Sequence, residues 1–229
     1  MAKSHELNTV LPENTAGIFG PVEFKQLVEL WGITSGSPKG RVEELKSMDV
    51  SKFVYFISDL NRSLQGEPET QISPTTMKYG DDEMVPVEDR YDLFMGFFDK
   101  LAKLPEDINP ERVGDALAMV VGMLHPFNEA NGRTGRALSL VFHSNFDSDD
   151  YVADYKELVV SRDVMKEAGM QAHEIVAPYI RHKSIDDPNN NVDMKNPGSV
   201  SRYFEQLLTS EDRNLYTGPF GYAPLREAT

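Results

Sequence analysis

The sequence predicts an all-α fold with one small β-hairpin, and three observations support this class. Apolar residues recur every three or four positions along most of the chain, which is the spacing of one helix face. Prolines stand at candidate helix starts, as at Pro21 and Pro110. Residues 66–86 break the helical pattern around the turn-prone run Tyr79-Gly80-Asp81-Asp82. That stretch therefore predicts an irregular hairpin, with strands near 70–73 and 84–87.

The helical pattern predicts elements of ordinary length, separated by short turns. The strongest is 110–124, because Asn109 can cap it and Pro110 can occupy its first turn. Its apolar residues cover nearly the whole circumference, which is typical of a buried central helix. The other predicted helices are 21–31, 41–48, 50–64, 87–104, 132–146, 151–160, 162–182 and 200–208.

The chain divides into three predicted parts. Residues 1–49 form an N-terminal helical extension, and residues 50–183 form the core domain. Residues 184–229 contain a flexible linker, a short C-terminal helix and a tail, because runs such as Asn196-Pro197-Gly198 favour turns.

Composition excludes several classes of function. The 229 residues carry a formal net charge of −14, which argues against a broad nucleic-acid-binding surface. No apolar run approaches the roughly 20 residues that a membrane span needs, so no membrane partner is expected. The chain contains no cysteine, which excludes disulfides and thiolate chemistry. We expect a cytoplasmic location or delivery into another cell, and the sequence does not choose between them.

Residues 125–136, HPFNEANGRTGR, combine features that suit phosphate chemistry. A new helix begins near Asn131 and Gly132, and the first amides of a helix favour an anion. Gly132 has no side chain to keep a phosphate away from the backbone. Arg133 and Arg136 lie one turn apart, so both guanidinium groups are expected to reach one polyphosphate.

Two further residues of the run supply the remaining chemistry. Glu129 is an oxygen ligand of the kind that Mg²⁺ prefers. His125 can accept a proton near neutral pH. Taken singly, each residue also has an ordinary structural explanation, such as a helix-terminal histidine, a surface ion-pair cluster or, for Phe127, a core anchor. Taken together, they suit the transfer of part of a nucleotide to a hydroxyl group.

The run resembles the signature of the Fic (filamentation induced by cAMP) domain family, H-[P/x]-F-x-[D/E]-[G/A]-N-[G/K]-R-x-x-R. The resemblance covers about residues 50–182 and implies a helical bundle around a helix-loop-helix active site, preceded by a hairpin flap. It implies a protein AMP-transferase that uses ATP and Mg²⁺. The target protein is expected to dock on the flap near residues 73–85.

The resemblance also implies a role for each residue of the run. His125 would deprotonate a Ser, Thr or Tyr hydroxyl of the target, and Glu129 would hold Mg²⁺. Asn131 and Gly132 would form the anion hole, while Arg133 and Arg136 would bind the triphosphate. Phe127 would be structural.

Two positions of the run bear on the choice of donor. Ala130 stands where glycine is usual, as in a branch of the family that phosphorylates its target. Gly132 stands where that branch has lysine, which favours AMP transfer. Transfer of UMP, GMP, phosphocholine or phosphate, and a catalytically silent interaction module, remain alternatives.

Two segments resemble the inhibitory motif [S/T]-x-x-x-E-[G/N] that many Fic proteins carry. One contains Ser201 and Glu205 on the predicted C-terminal helix, and the other contains Thr9 and Glu13. In the first, Glu205 would pair with Arg136 and spoil γ-phosphate binding. We expect Glu205 to be inhibitory, with Glu13 as the alternative.

Overall fold

The computed structural model describes residues 20–65, 78–79, 82–83, 85–127, 130–148, 150–155 and 192–209. These residues are mostly helical, so the expected all-α class is confirmed. The helices are α1 Pro21–Leu30, α2 Pro38–Lys46, α3 Val50–Gln65, α4 Val87–Leu101, α5 Pro110–Leu124, α6 Asn131–His143, α7 Tyr151–Tyr155 and α8 Pro197–Thr209. The predicted helix 162–182 lies outside the described residues.

Two short strands pair between α3 and α4. Strand β1, Lys78–Tyr79, is antiparallel to β2, Asp82–Glu83, with Lys78 opposite Glu83. The predicted strands, 70–73 and 84–87, are further from the turn than β1 and β2 are. The stretch 70–73 is outside the described residues, and 84–87 is wrong as a strand because Val87 already begins α4.

Capping residues explain where several helices begin. Asn109 accepts a hydrogen bond from the Glu111 amide, so α5 begins as predicted at Pro110. Ser37 does the same for the Gly40 amide, and α2 therefore begins at Pro38, three residues before the predicted start. Asn196 accepts from the amides of Gly198 and Ser199, so part of the predicted linker is in fact the start of α8.

Helices α5 and α6 form the centre of the fold and pack closely against each other. A Cβ atom on Gly114 would lie 2.9 Å from the carbonyl oxygen of Ser139, and one on Gly135 would lie 3.0 Å from that of Ala118. Since position 114 faces 139 while 118 faces 135, the two helices run antiparallel. The absence of side chains at Gly114 and Gly135 brings the helices together and thereby fixes the loop between them.

The N-terminal helices share the core with the rest of the described chain. Phe24, Val28 and Val42 belong to the same buried apolar cluster as α3 to α6, so no gap in packing marks the expected boundary at residue 49. Helix α8 packs on α4 and α5, with the rings of Phe97 and Phe204 edge to face at 5.8 Å.

Arg41 joins α2 to the end of α6. Its side chain is fully buried, and its Nε atom donates a 2.6 Å hydrogen bond to the Val141 carbonyl. It also donates to the carbonyls of Ser35, Gly36 and Ser144 and lies 4.1 Å from the centre of the Phe146 ring. Burial lowers the pKa of Arg41 to about 10, against the opposing charges of Glu44 and Asp147, so the guanidinium stays protonated at neutral pH. Arg41 therefore supplies donors to carbonyls at the C-terminal end of α6.

Candidate functional site

The loop between α5 and α6 begins at a strained histidine. His125 is buried and has the left-handed backbone conformation, with φ 47° and ψ 55°. Its Nδ1 atom lies 3.1 Å from the carbonyl oxygen of Gly122. A carbonyl oxygen only accepts, so Nδ1 carries the proton and the neutral ring holds its lone pair on Nε2.

The surroundings of His125 favour the neutral imidazole. Burial is the largest cause and lowers the pKa of the ring below its ordinary value. The hydrogen bond to Gly122 opposes that shift, and the positive charge of Arg90 adds to it. The ring is therefore neutral at pH 7, which is the form a general base needs.

The loop ends at a second strained residue. Ala130 has φ 58° and ψ 16° and precedes the first residue of α6. Among the described residues, His125 and Ala130 are the only non-glycine positions with positive φ. A left-handed non-glycine residue costs about 1–2 kcal/mol, and such strain concentrates at functional sites. The strain at both ends of this loop is a structural reason to place the site here.

Asn131 closes the loop with its side chain. Its Oδ1 atom accepts a 3.0 Å hydrogen bond from the Phe127 amide, and its Nδ2 atom donates a 2.7 Å bond to the Phe127 carbonyl. The Asn131 side chain is 2% exposed, and the Phe127 ring lies in the core. The amide group of Asn131 therefore shapes the loop, and the donors available for an anion hole here are backbone amides in the first turn of α6.

The two arginines of the run differ in their surroundings. Arg133 is half-buried and donates a 2.6 Å hydrogen bond from Nη1 to the carbonyl of Leu64, in the last turn of α3. Arg136 is 7% exposed and lies one turn further along α6. Gly132, between the helix start and Arg133, is also half-buried. Gly132 and Arg133 stand on the first turn after Ala130, and Arg136 stands on the next.

Arg90 is a further site residue that the sequence pattern did not reveal. Its side chain is 3% exposed and donates from Nε to the Val85 carbonyl and from Nη1 to the His125 carbonyl, each at 2.9 Å. Burial lowers the pKa of Arg90, and the charge of Glu88 opposes this. The sequence feature that could have revealed Arg90 is its spacing on α4, which places it on the same helix face as the apolar residues Phe94, Phe97 and Leu101.

A pocket opens beside the loop, between α3 and α4. The empty space of the pocket, including the part that is open to solvent, measures about 590 Å³. The residues that line it are mostly apolar. The lining residues are Val54, Ile57, Ser58, Val87, Arg90, Tyr91, Phe94, Leu124, Pro126 and Phe127. The pocket thus lies against the same loop segment that His125 begins.

The expected contact between Glu205 and Arg136 is not formed in this structure. The Glu205 carboxylate is 56% exposed and pairs with Lys100 Nζ at 2.6 Å, which lowers its pKa. The reason is the packing of α8, which lies on α4 and α5 and brings Glu205 to the last turn of α4. Ser201 accepts a 3.4 Å hydrogen bond from the same Lys100 through its carbonyl.

The other predicted site residues lie outside the described residues. These are Glu129, Thr9, Glu13 and most of the segment 73–85. Among the described residues no group of three or more His, Asp or Glu side chains is arranged to hold a metal ion. Nor does this part of the chain contain a helix of the length and apolarity that a membrane crossing requires. Comparison of the chain with protein-family models, curated proteins and solved structures found no match.

Proposed function

We propose that this chain is a Mg²⁺-dependent protein AMP-transferase of the Fic type, which moves AMP from ATP to a hydroxyl group of a target protein. The observation that carries the proposal is the loop 125–136. It joins a neutral, buried histidine to the N-terminus of a helix that bears a glycine and two arginines. The matching order of residues in the Fic signature supports the same reaction.

The proposed reaction follows from the chemistry of these groups. His125 Nε2 takes the proton of a Ser, Thr or Tyr hydroxyl, and the hydroxyl oxygen forms a bond to the α-phosphorus of ATP. The bond between that phosphorus and the bridging oxygen breaks, and pyrophosphate leaves with the electron pair. The products are an AMP ester of the target and pyrophosphate, with the proton held on His125.

The phosphates are held by donors of α6. Backbone amides of its first turn, helped by the helix dipole, face the charge that develops on the α-phosphate oxygens. Gly132 lets a phosphate approach this backbone closely. Arg133 and Arg136 bind the remaining phosphates through their guanidinium groups. Arg133 donates one Nη1 hydrogen bond to Leu64, and because a guanidinium has five donors this bond does not by itself prevent phosphate binding.

The proposed reaction uses Mg²⁺ that arrives with the nucleotide. Protein sites for nucleotide-bound Mg²⁺ use one or two carboxylates together with phosphate oxygens and water, and need no larger cluster. Glu129 would supply the carboxylate. The ion would neutralise phosphate charge as pyrophosphate departs.

The test is a labelling experiment with separate donors. Purified protein is incubated with cell lysate, Mg²⁺ and ATP labelled on either the α- or the γ-phosphate, and in parallel with labelled UTP, GTP or a phosphocholine conjugate. Label from α-ATP but not from γ-ATP is expected on protein bands. If the label came from γ-labelled ATP or from another donor, we would conclude that the protein transfers phosphate, or the group of that donor, instead of AMP.

Two variants test the base. His125→Ala removes it, and His125→Asn does so with a residue that tolerates the left-handed conformation at this position. Both are expected to abolish labelling while the circular dichroism spectrum is retained. Labelling that persists in folded His125→Asn would contradict the role of the histidine. Absence of labelling by the wild-type protein and by Glu13→Gly would favour a binding module.

A further inference from the structure

Arg90 joins two backbone segments that are distant in sequence. Its Nε and Nη1 atoms donate 2.9 Å hydrogen bonds to the carbonyls of Val85 and His125, which are 40 positions apart. The guanidinium is almost fully buried. A buried charge is destabilising unless its donors are hydrogen-bonded, so the local structure depends on these two contacts.

The two acceptors belong to functionally different segments. Val85 follows β2, at the base of the hairpin, and His125 is the first residue of the α5–α6 loop. A guanidinium is planar and holds its donors at fixed angles, so it fixes the distance between the groups that it bridges. A lysine ammonium has no such fork.

Building on the proposed function, we propose that Arg90 is a positioning residue for the transfer reaction. Its guanidinium holds His125 at a fixed distance from Val85, at the base of the hairpin on which the target docks. A target hydroxyl presented from the hairpin therefore meets the imidazole at a fixed distance. Near-attack geometry of this kind accounts for a large part of enzymatic rate enhancement.

The charge of Arg90 acts on the base in the same direction. Among the described residues, it is the charged group that lowers the pKa of His125 beyond the effect of burial, and Glu88 in turn acts on Arg90. Loss of the guanidinium should therefore displace the imidazole and raise its pKa. A purely structural role elsewhere in the fold would change neither.

The kinetic test compares Arg90→Met and Arg90→Lys with Arg62→Met. Arg62 pairs with Asp59 on α3 and provides the same change of side chain away from the loop. Arg90→Met is expected to lower kcat about tenfold to a hundredfold, because a misplacement of about 1 Å has effects of that size. KM for ATP should stay within about twofold, since the groups that bind phosphate lie on α6. Arg62→Met should behave as wild type.

A second test needs no transfer activity. The pKa of His125 is measured by NMR titration in the wild type and in the three variants. It is expected to rise in Arg90→Met, to stay near the wild-type value in Arg90→Lys, and not to change in Arg62→Met. An unchanged His125 pKa in Arg90→Met would overturn the proposal, and so would an unchanged kcat.

The two tests separate this proposal from the proposed function. If the wild type transfers no nucleotide while the titration gives the expected pattern, AMP transfer fails and the effect of the Arg90 charge on the His125 imidazole stands. If Arg90→Met does not fold, Arg90→Lys decides, because it keeps the charge and loses the fork. A wild-type kcat in that variant overturns the proposal.

Discussion

The side-chain amide of Asn61 on α3 donates a 2.8 Å hydrogen bond to the hydroxyl of Thr134 on α6. That hydroxyl donates a 2.9 Å bond to the carbonyl of Ala130, and the Thr134 amide donates to the same oxygen at 2.9 Å. Asn61 and Thr134 are completely buried. A residue of α3 thus helps to hold the strained start of α6, which is the phosphate site of the proposed reaction.

Thr134→Val is expected to lower both stability and transfer. Valine keeps the shape of threonine but leaves a buried amide donor of Asn61 without its acceptor, which costs about 1–3 kcal/mol in the free energy of unfolding. Thr134→Ser is the control, because it keeps the hydroxyl and loses only a methyl group, at about 1 kcal/mol. Urea unfolding and α-phosphate labelling measure the two effects. Equal labelling by the valine and serine variants would refute a role for the hydroxyl.

Ala130→Gly should raise the free energy of unfolding. Glycine adopts the left-handed conformation without steric cost, and the gain of up to about 1 kcal/mol is partly offset by the freer unfolded chain. Ala130→Val should have the opposite effect, because a β-branched residue is strained at positive φ. Denaturant midpoints of the three proteins should rank glycine, alanine, valine. A glycine variant less stable than wild type would show that the strain lies elsewhere.

Gly114→Ala and Gly96→Ala should change stability in opposite directions. A Cβ at position 114 would lie 2.9 Å from the backbone oxygen of Ser139, whereas one at position 96 would meet nothing within 4 Å. We expect a loss of about 1–3 kcal/mol from overpacking at Gly114. At Gly96 we expect a gain of up to about 1 kcal/mol from helix propensity. Thermal unfolding measures both, and a stabilised Gly114→Ala variant would contradict the close contact between α5 and α6.

The contact between His143 and Asp115 should make stability depend on pH. His143 Nε2 lies 2.9 Å from Asp115 Oδ1 and 3.1 Å from the Glu111 carbonyl. Burial lowers the pKa of His143, but the hydrogen bond and charge of Asp115, with the charge of Glu111, outweigh it and leave the pKa raised. A raised pKa means that the contribution to stability is complete below the unfolded value of about 6.5. It is lost as the pH rises through the folded value.

The measurement for His143 is a pair of unfolding series. The free energies of unfolding of wild type and His143→Gln are compared between pH 5.5 and pH 9. The advantage of the wild type should be largest at the acidic end and should shrink as the pH rises. A difference that does not vary with pH would exclude a charged His143.

Glu205→Ala is expected to leave the rate of nucleotide transfer unchanged. Its carboxylate pairs with Lys100 at the end of α4, so its removal should not alter how Arg136 meets a phosphate. Glu13→Gly is the matched comparison, because Thr9 and Glu13 form the other segment with the inhibitory pattern, and release of transfer is expected there. A several-fold increase in labelling by Glu205→Ala would restore Glu205 as the inhibitory residue.

Local signals predicted much of the fold. The pair Asn109–Pro110 predicted where α5 begins, and apolar spacing predicted α1, α3 and α8 to within a few residues. The caps Ser37 and Asn196 displaced the starts of α2 and α8, since a cap depends on a side chain just outside the periodic segment. The second strand was misplaced because a hairpin register depends on turn geometry, which composition does not specify.

The sequence singled out the residues of the candidate site but not their geometry. The order of residues from His125 to Arg136 indicates nucleotide chemistry, yet it does not reveal that the Asn131 side chain binds the Phe127 backbone. Apolar periodicity does not reveal polar residues on buried helix faces, such as Arg90 and Asn61. The partner of Glu205 depends on how α8 packs, which is a tertiary property.

Arg41 has a consequence for anyone who trims this protein to its motif-bearing part. A fragment that starts at residue 50 would keep the entire 125–136 loop but would lose the donors that reach Val141 and Ser144, at the far end of α6. Helix α6 would then lose the donors at its last turn, and the Phe146 ring would lose the cation beside it. The smallest unit worth expressing therefore begins before α2.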